Sequence, residues 1–482
     1  MLRRFPSISQ LKTVAAFRRR LQELGLALPV DEQILSGQDD SPLARPGRIG
    51  PLEVGNRWCI HPMEGWDAQL SGAPSPLTVR RWRHFGTSGA KLIWGGEAMA
   101  VVPQGRSSPR ELLICEENRR GIKLLLEELK EAHLRRCGSL QGLVVGLQLT
   151  HSGRFSAPEG TPRPRIAWHH PLLDAKVGIA PTDDSPILSD QELQGLVPRY
   201  VEAAQLAAEV GFDFVDIKAC HGYLLHELLG AHLRPGPYGG SLEGRSRLLR
   251  QIIQAVRQAC PELVLGVRLS AFDLVPFAAG EREQEGRPQL RPELLPYRWG
   301  FGVDPHQPTR PHLHETFQLL HWLRDWGVAV VNLSGGSPYY CPHAQRPAQF
   351  PPCDGYPPPE DPLVGVGRMI EVARQCKEEL PQLPLVGTGY SYLQEYLPHV
   401  AQAVVRQGWI DYVGLGRMVL SYPELPWDVL TTGRLNRRRI CRTFSDCTTG
   451  PRNGLPSGCY PLDAFYKRLP EAVRLRKIKS SQ

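Results

Sequence analysis

Lys218, His221 and Tyr223 fall within one short segment, Val215-Asp-Ile-Lys218-Ala-Cys-His221-Gly-Tyr223. A lysine and an imidazole donate hydrogen bonds, and a phenol can give up a proton. A carbonyl conjugated to a C=C bond needs such groups. Its oxygen must be polarised before hydride reaches the β-carbon, and an acid must then protonate the α-carbon. Lys218 and His221 suit the first task and Tyr223 the second. The plainer alternative is three satisfied core side chains. Their place just beyond an apolar, β-branched run favours a strand-to-loop transition that aims them into a cleft.

Two glycine-rich turns offer a second chemistry. Gly387-Thr-Gly389 and Gly414-Leu-Gly416-Arg417 each follow a short apolar run. Glycine lets backbone amides approach an anion, and an arginine forks onto phosphate oxygens. One Gly-x-Gly is usually a turn. Two on successive strands, one ending in arginine, point to a phosphate-bearing ligand.

Elements of regular period must carry these residues. Strands are predicted at Arg57 to Met63, Lys91 to Trp94, Leu143 to Leu149, Phe214 to Lys218, Val264 to Leu269, Val328 to Leu333, Leu385 to Gly387 and Tyr412 to Leu415. Helical periodicity marks Val197 to Val210, Arg245 to Ala259, Glu315 to Trp326 and Leu393 to Gln407. Such alternation implies parallel pairing, and eight units suggest a closed α/β barrel of (β/α)8 type. An open doubly wound sheet is the alternative, but the early GxGxxG expected of it is missing. Two stretches break the rhythm, Phe272 to His314 after the fifth strand and Gly335 to Pro362 after the sixth. Loops of that length at strand C-termini are usually functional or disordered. The Tyr and Pro content of the second favours an ordered lid. The expected organisation is a helical extension over 1–45, a barrel over 46–435 and a tail over 436–482 packed on the barrel.

The stretch His221-Gly-Tyr-Leu-Leu-His-Glu-Leu-Leu, followed by Tyr238-Gly-Gly-Ser-Leu-Glu-Gly-Arg245, resembles the signature of the Old Yellow Enzyme / NADH:flavin oxidoreductase family. Further matches run in the same order. They are Gly50-Pro-Leu-Glu-Val-Gly-Asn-Arg57, Pro103-Gln-Gly-Arg106, Gln148-Leu-Thr-His151-Ser-Gly-Arg154, Val267-Arg268-Leu-Ser and Gly414-Leu-Gly416-Arg417. The resemblance covers about residues 46 to 435 and implies FMN across the C-terminal mouth of the barrel, with NAD(P)H as co-substrate. It implies that Pro62 and Met63 supply backbone under the isoalloxazine, with Glu64 and Ala98 beside it. Gln148 would meet the pyrimidine edge and Arg268 the charge near N1 and O2, while Gly389, Tyr390, Gly416 and Arg417 would hold the phosphate. His221 matches the second residue of the family's carbonyl-binding pair and Tyr223 its proton donor.

Two positions depart from the pattern. Relatives often place Thr or Cys where Glu64 stands. An ionised carboxylate there would disfavour anionic reduced flavin, unless it turns away to an arginine. Lys218 replaces the first histidine of the pair and, as a fixed positive charge, would favour anionic small-molecule substrates. The resemblance therefore implies hydride transfer from NAD(P)H to an electron-poor C=C bond. The alternatives are a flavin dehydrogenase or demethylase, and a barrel that has lost its flavin and serves as a binding protein.

Larger members place four cysteines after the barrel for an iron–sulfur cluster. Here Cys441, Cys447 and Cys459 are present, but Phe444 stands at the expected second ligand, so a [4Fe–4S] cluster and any metal site are not expected. The chain ends at Gln482, too soon for the flavin and nicotinamide domains that larger members append. A single-domain form is expected, with electrons entering and leaving at one flavin face in ping-pong order.

Bulk composition excludes other classes. No run of about 18 apolar residues suggests a membrane span. The basic N-terminal stretch lacks the apolar core and cleavage site of a secretory signal, so a cytoplasmic location is expected. The net charge is +8 over 482 residues and its arginines are scattered, which reads as a solvated surface and not a nucleic-acid site. Eleven cysteines in such a chain suggest reduced thiols. The sequence does not fix the oligomeric state.

Overall fold

The computed structural model describes residues 5–280 and 285–480. The first four residues of the predicted extension, residues 281–284 of the first long loop and the last two of the tail lie outside the described residues.

Eight parallel strands close into a ring. They are β1 (Trp58–Ile60), β2 (Leu92–Ile93), β3 (Val144–Thr150), β4 (Phe214–Ala219), β5 (Val264–Ser270), β6 (Val330–Ser334), β7 (Leu385–Gly387) and β8 (Tyr412–Leu415). Each pairs with its sequence neighbours, and β8 pairs with β1, which shuts the barrel. Every residue of β3, β4 and β5 is buried. That burial explains why most of their residues are apolar, the buried exceptions being Gln148, Thr150, Asp216, Lys218, Arg268 and Ser270.

Amphipathic helices wrap the outside: α1 (Pro76–Gly86), α2 (Arg119–Cys137), α3 (Asp190–Val210), α4 (Arg247–Ala259), α5 (His314–Asp325), α6 (Pro362–Glu379), α7 (Leu397–Arg406) and α8 (Leu425–Thr432). The predicted helix at Val197 starts seven residues earlier, at Asp190. Ser189 caps it and Glu192 completes the capping box, while Gly211 ends it at φ 101°. Pro198 lies inside α3 and does not break it.

The two barrel ends differ. At the N-terminal end a hairpin, Gly47–Ile49 against Leu52–Val54, packs Ile49 and Val54 onto Cys59, Leu92, Trp94, Phe214 and Val330. Each aliphatic side chain buried there contributes about 1.5–3 kcal/mol. With that end sealed, the C-terminal mouth is left for a ligand.

Long segments shape that mouth. The loop over 272–314 is not featureless, because Phe277–Ala279 pairs with Gly286–Pro288 as an antiparallel hairpin. The loop over 335–362 carries a short helix, Pro342–Gln345. The N-terminal helix Val14–Glu23 stacks Phe17 on Tyr396 with ring centroids 4.2 Å apart. In the tail, α9 (Asp446–Arg452) is followed by two further helices with their own apolar cluster around Tyr460 and Tyr466. Among the described residues no helix is long and apolar enough to cross a membrane.

Candidate active site

A cavity of about 1220 Å3, counting the space open to solvent, occupies the C-terminal mouth. Of the residues singled out in the sequence, Pro62, Met63, Glu64, Gln148, Lys218, His221, Tyr223, Arg268, Gly389, Gly416 and Arg417 line it. Ala98 and Tyr390 do not. Ala98 is buried beside Gln148 in strand register, and the Tyr390 hydroxyl lies behind Gly387.

The floor is organised by Asp216, buried on β4. It accepts the Trp94 indole N–H at 2.6 Å, the Arg268 backbone N–H at 2.6 Å and the Gln148 side-chain amide. Asp216 and Lys218 are two residues apart on one strand, so both face the barrel interior. The Asp216 anchor leaves the Gln148 carbonyl available to the cavity. Arg268 is buried, and its Nε has no partner within the protein.

Glu64 turns to Lys218, not to an arginine. Its Oε1 accepts the Lys218 ammonium and its Oε2 accepts the Tyr223 hydroxyl at 2.8 Å. The ammonium also sits 3.9 Å from the centre of the Tyr223 ring. Lys218 is therefore not the unpaired positive charge that the sequence suggested; Glu64 neutralises it. The loop bearing Glu64 is fixed from below. The Gly65 amide donates to Glu97, and Glu97 and Asp67 both receive the buried Arg81 of α1.

His221 adopts φ 67°, a conformation uncommon outside glycine, and its backbone is held by Ser270 and Ser337 hydroxyls at 3.0 and 2.7 Å. Its Nε2 lies 2.9 Å from Ser334 Oγ. Burial, then the nearby Arg268 and Lys218 charges, hold this imidazole well below its usual pKa, so it is neutral. Tyr223 is held well above its usual pKa by burial and by Glu64, which keeps the phenol protonated. Tyr339 lies against it, 2.9 Å between hydroxyls, and stacks on Phe155 with centroids 3.9 Å apart.

At the other end of the cavity, Gly389 has φ 99°, which a side chain would strain. Gly414 is required by packing, since a Cβ there would lie 2.1 Å from the His61 ring. Arg417 donates Nη2 to the Pro347 carbonyl at 2.8 Å, and its Nη1 is unpartnered.

Arg346, from the loop after β6, was missed in the sequence and also lines this end. It donates Nη1 to the Thr448 hydroxyl of α9, and its Nη2 is unpartnered. Burial and the neighbouring Arg417 lower its pKa to about 9. Two half-buried arginines with buried, unpartnered nitrogens and mutual repulsion suit an anion. The tail joins them through Cys447, Thr448 and Arg452. No sequence signal ties a loop arginine or a tail helix to the mouth; only the Tyr- and Pro-rich loop composition hinted at it.

The tail cysteines Cys441, Cys447 and Cys459 form no disulfide. Phe444 packs on Phe350 with centroids 5.4 Å apart. Among the described residues, no three His, Cys, Asp or Glu side chains are arranged to hold a metal ion.

Comparison with known proteins adds an independent finding. Residues 42–287 match the model of the NADH:flavin oxidoreductase / NADH oxidase family. An NADPH dehydrogenase of Bacillus subtilis is 34% identical over 240 residues, 48% of this chain and 64% of that protein. An NADH oxidase of Thermoanaerobacter brockii is 23% identical over 82% of this chain, which spans 51% of that protein. An NADPH dehydrogenase of Geobacillus thermodenitrificans is 32% identical over 78% of this chain and 90% of that protein. Among solved structures, a 2-naphthoyl-CoA reductase complex superposes with a TM-score of 0.66 at 17% identity, covering 88% of this chain and 57% of that one. Morphinone reductase superposes with a TM-score of 0.54 at 23% identity, covering 81% and 89%. These superpositions show the fold.

Proposed function

The chain belongs to the NADH:flavin oxidoreductase / NADH oxidase family, and we propose that it uses FMN to pass hydride from NAD(P)H to an electron-poor C=C bond of a small molecule. The observation that carries this reading is one cavity that brings together two chemistries. Unpartnered guanidinium nitrogens of Arg417 and Arg346 and the Tyr223–His221 pair share its wall with Arg268 and Gln148.

The donor set fits FMN. Arg417 and Arg346 would hold the phosphate with the Gly389 and Gly416 backbone, where a Cβ would meet Met369 at Gly389 and Met63 at Gly416. Gln148 and Arg268 would meet the pyrimidine edge, and Pro62 and Met63 the ring. Ala98 and Tyr390 support these residues from behind the wall. FMN supplies a ring that takes hydride from NAD(P)H and returns it to the acceptor.

The chain's own residues do the rest. Neutral His221 donates a hydrogen bond to the acceptor carbonyl, and Tyr223 gives its hydroxyl proton to the α-carbon. Glu64 neutralises Lys218, so the mouth favours neutral enones over strongly anionic acceptors. Tyr339 and Phe155 keep water from the Tyr223 hydroxyl. The tail lines the same cavity through Cys447, Thr448 and Arg452, and one cavity that would serve donor and acceptor in turn supports ping-pong order. A cytoplasmic location goes with this reading and with tail thiols that form no disulfide.

The test is anaerobic. Purified protein with FMN should be yellow, bleach on adding NADPH or NADH, and regain colour with cyclohex-2-enone. Bleaching by an organic donor alone would favour the dehydrogenase or demethylase reading. Protein that stays colourless after reconstitution would leave only a binding role.

A further inference from the structure

Glu111 lies behind the mouth, buried, in the loop after β2. Its Oε2 accepts the Ser107 amide and lies 2.6 Å from the Ser107 hydroxyl, while its Oε1 has no partner. Ser107 Oγ is also 3.4 Å from Glu64 Oε2 and receives the Trp66 indole N–H at 3.0 Å. Glu64 Oε2 in turn takes the Tyr223 hydroxyl at 2.8 Å. Four side chains thus form an unbroken line from Glu111 through Ser107 and Glu64 to Tyr223.

One carboxyl on this line lacks a cation of its own. Lys218 pairs with Glu64, Arg268 stands beside Lys218 in strand register and Arg452 lies over the Tyr339 ring, but among the described residues no cation pairs with Glu111. Lys218 bonds Glu64 directly, so the remaining proton belongs on Glu111. An ionised Glu111 would bury a carboxylate oxygen with no donor next to a second carboxylate. Burial and the Glu64 charge accordingly push Glu111 up to about 8.

We propose that Glu111 is the proton store for Tyr223, passing its proton through Ser107 and Glu64 once Tyr223 has protonated the acceptor. The inference rests on the reading of Tyr223 as proton donor. In the donor step the Tyr223 O–H bond breaks as the α-carbon C–H bond forms. The Glu111 O–H bond then breaks as a new Ser107 O–H forms. The original Ser107 proton moves to Glu64 Oε2 and on to the Tyr223 oxygen. Tyr223 is restored, Glu111 is left as carboxylate, solvent reprotonates it, and no electrons move along the line. Glu111 is a positioning residue for the proton, since it acts through Tyr223 and does not touch the acceptor.

The test combines infrared titration of the FMN-loaded protein with half-reaction kinetics on cyclohex-2-enone, for wild type, Glu111→Gln and Ser107→Ala. Wild type should show a carboxylic-acid carbonyl stretch at neutral pH that fades with a midpoint near 8. Glu97 and Asp273, also buried and raised to about 7, add their own bands, so the Glu111 band is read in the wild-type minus Glu111→Gln difference spectrum and should be kept in Ser107→Ala. Both variants should reduce the enone about 10-fold more slowly or worse and lose the alkaline limb of the pH profile. Flavin reduction by NADPH should stay at the wild-type rate. A difference spectrum without that band, or wild-type enone rates and pH profiles in both variants, would overturn the relay. Wild-type protein that keeps the band but reduces no enone would instead sink the acceptor assignment, because the band reads the stored proton without turnover.

Discussion

Lys218 and Arg268 are direct partners in the parallel register of β4 and β5, and Glu64 neutralises only the first. Two adjacent cations in a largely desolvated mouth repel each other. By crossing from the loop after β1 to take the lysine, Glu64 leaves Arg268 free to face the cavity. The two departures from the family pattern therefore act as one paired change, with little net charge added to the cavity wall.

Breaking that pair exposes its role. Glu64→Gln should leave the Lys218 charge uncompensated, favour anionic reduced flavin and raise the flavin reduction potential. It should also lower KM for an unsaturated carboxylate by about 10-fold, the equivalent of roughly 1.4 kcal/mol. Potentiometric titration and steady-state kinetics read both. A double Glu64→Gln, Lys218→Met variant should return the potential toward the wild-type value; a potential unmoved by either change would place the pair away from the ring.

Tyr223→Phe removes the proposed acid and leaves its packing in place. Enone reduction should slow by about 10²- to 10⁴-fold, the usual worth of a positioned general acid. Stopped-flow bleaching by NADPH should hardly change. Equal loss in both half-reactions would contradict a proton-donor role.

The three cavity arginines should govern cofactor retention. Arg268→Ala, Arg346→Ala and Arg417→Ala should each raise the FMN Kd by roughly 10- to 100-fold, since a hydrogen bond to a charged group is worth about 1.5–3 kcal/mol. Quenching of flavin fluorescence on binding gives the constants. Unchanged affinity in Arg346→Ala would remove the loop arginine from the phosphate end.

Stability should fall in mild acid. Burial holds His151 down to about 4, helped by Arg165, and His133 down to about 4, helped by Lys91. Burial alone holds His226 down to about 3. Each is neutral in the folded chain and takes up a proton on unfolding below its ordinary value of 6.5. The unfolded state then binds more protons, so the contribution present above pH 6.5 is lost as pH falls toward 3–4. The urea midpoint should drop steadily between pH 7 and pH 4 by roughly the amount this linkage implies. His226→Gln should flatten the acid limb; an unchanged slope would mean that His226 titrates freely in the fold.

Much of the scaffold was legible in local patterns. The runs at Phe214, Val264, Leu385 and Tyr412 became strands at or within a residue or two of their expected ends. Strand and helix signals are local, and burial on both faces makes the strands largely apolar short runs. The helix start at Asp190 was missed although its capping box, Ser189 to Glu192, runs straight into the buried Leu193 and Leu196; Gly195 and Pro198, both poor helix formers, interrupt the pattern there. The hairpin inside the 272–314 loop was hidden because so short a pairing carries no period of its own.

The residues of this chain alone determined an eight-unit α/β barrel and the positions of His221, Tyr223, Arg268 and Arg417, because strand order and spacing put them at one end. Tertiary structure alone decided their electrical setting. Glu64 and Lys218 stand 154 residues apart, and Arg346 meets the α9 helix through Thr448. Such encounters depend on barrel closure and strand register, which bring remote segments to a common mouth. Electrostatics is set by distance in space, and distance along the chain does not reveal it.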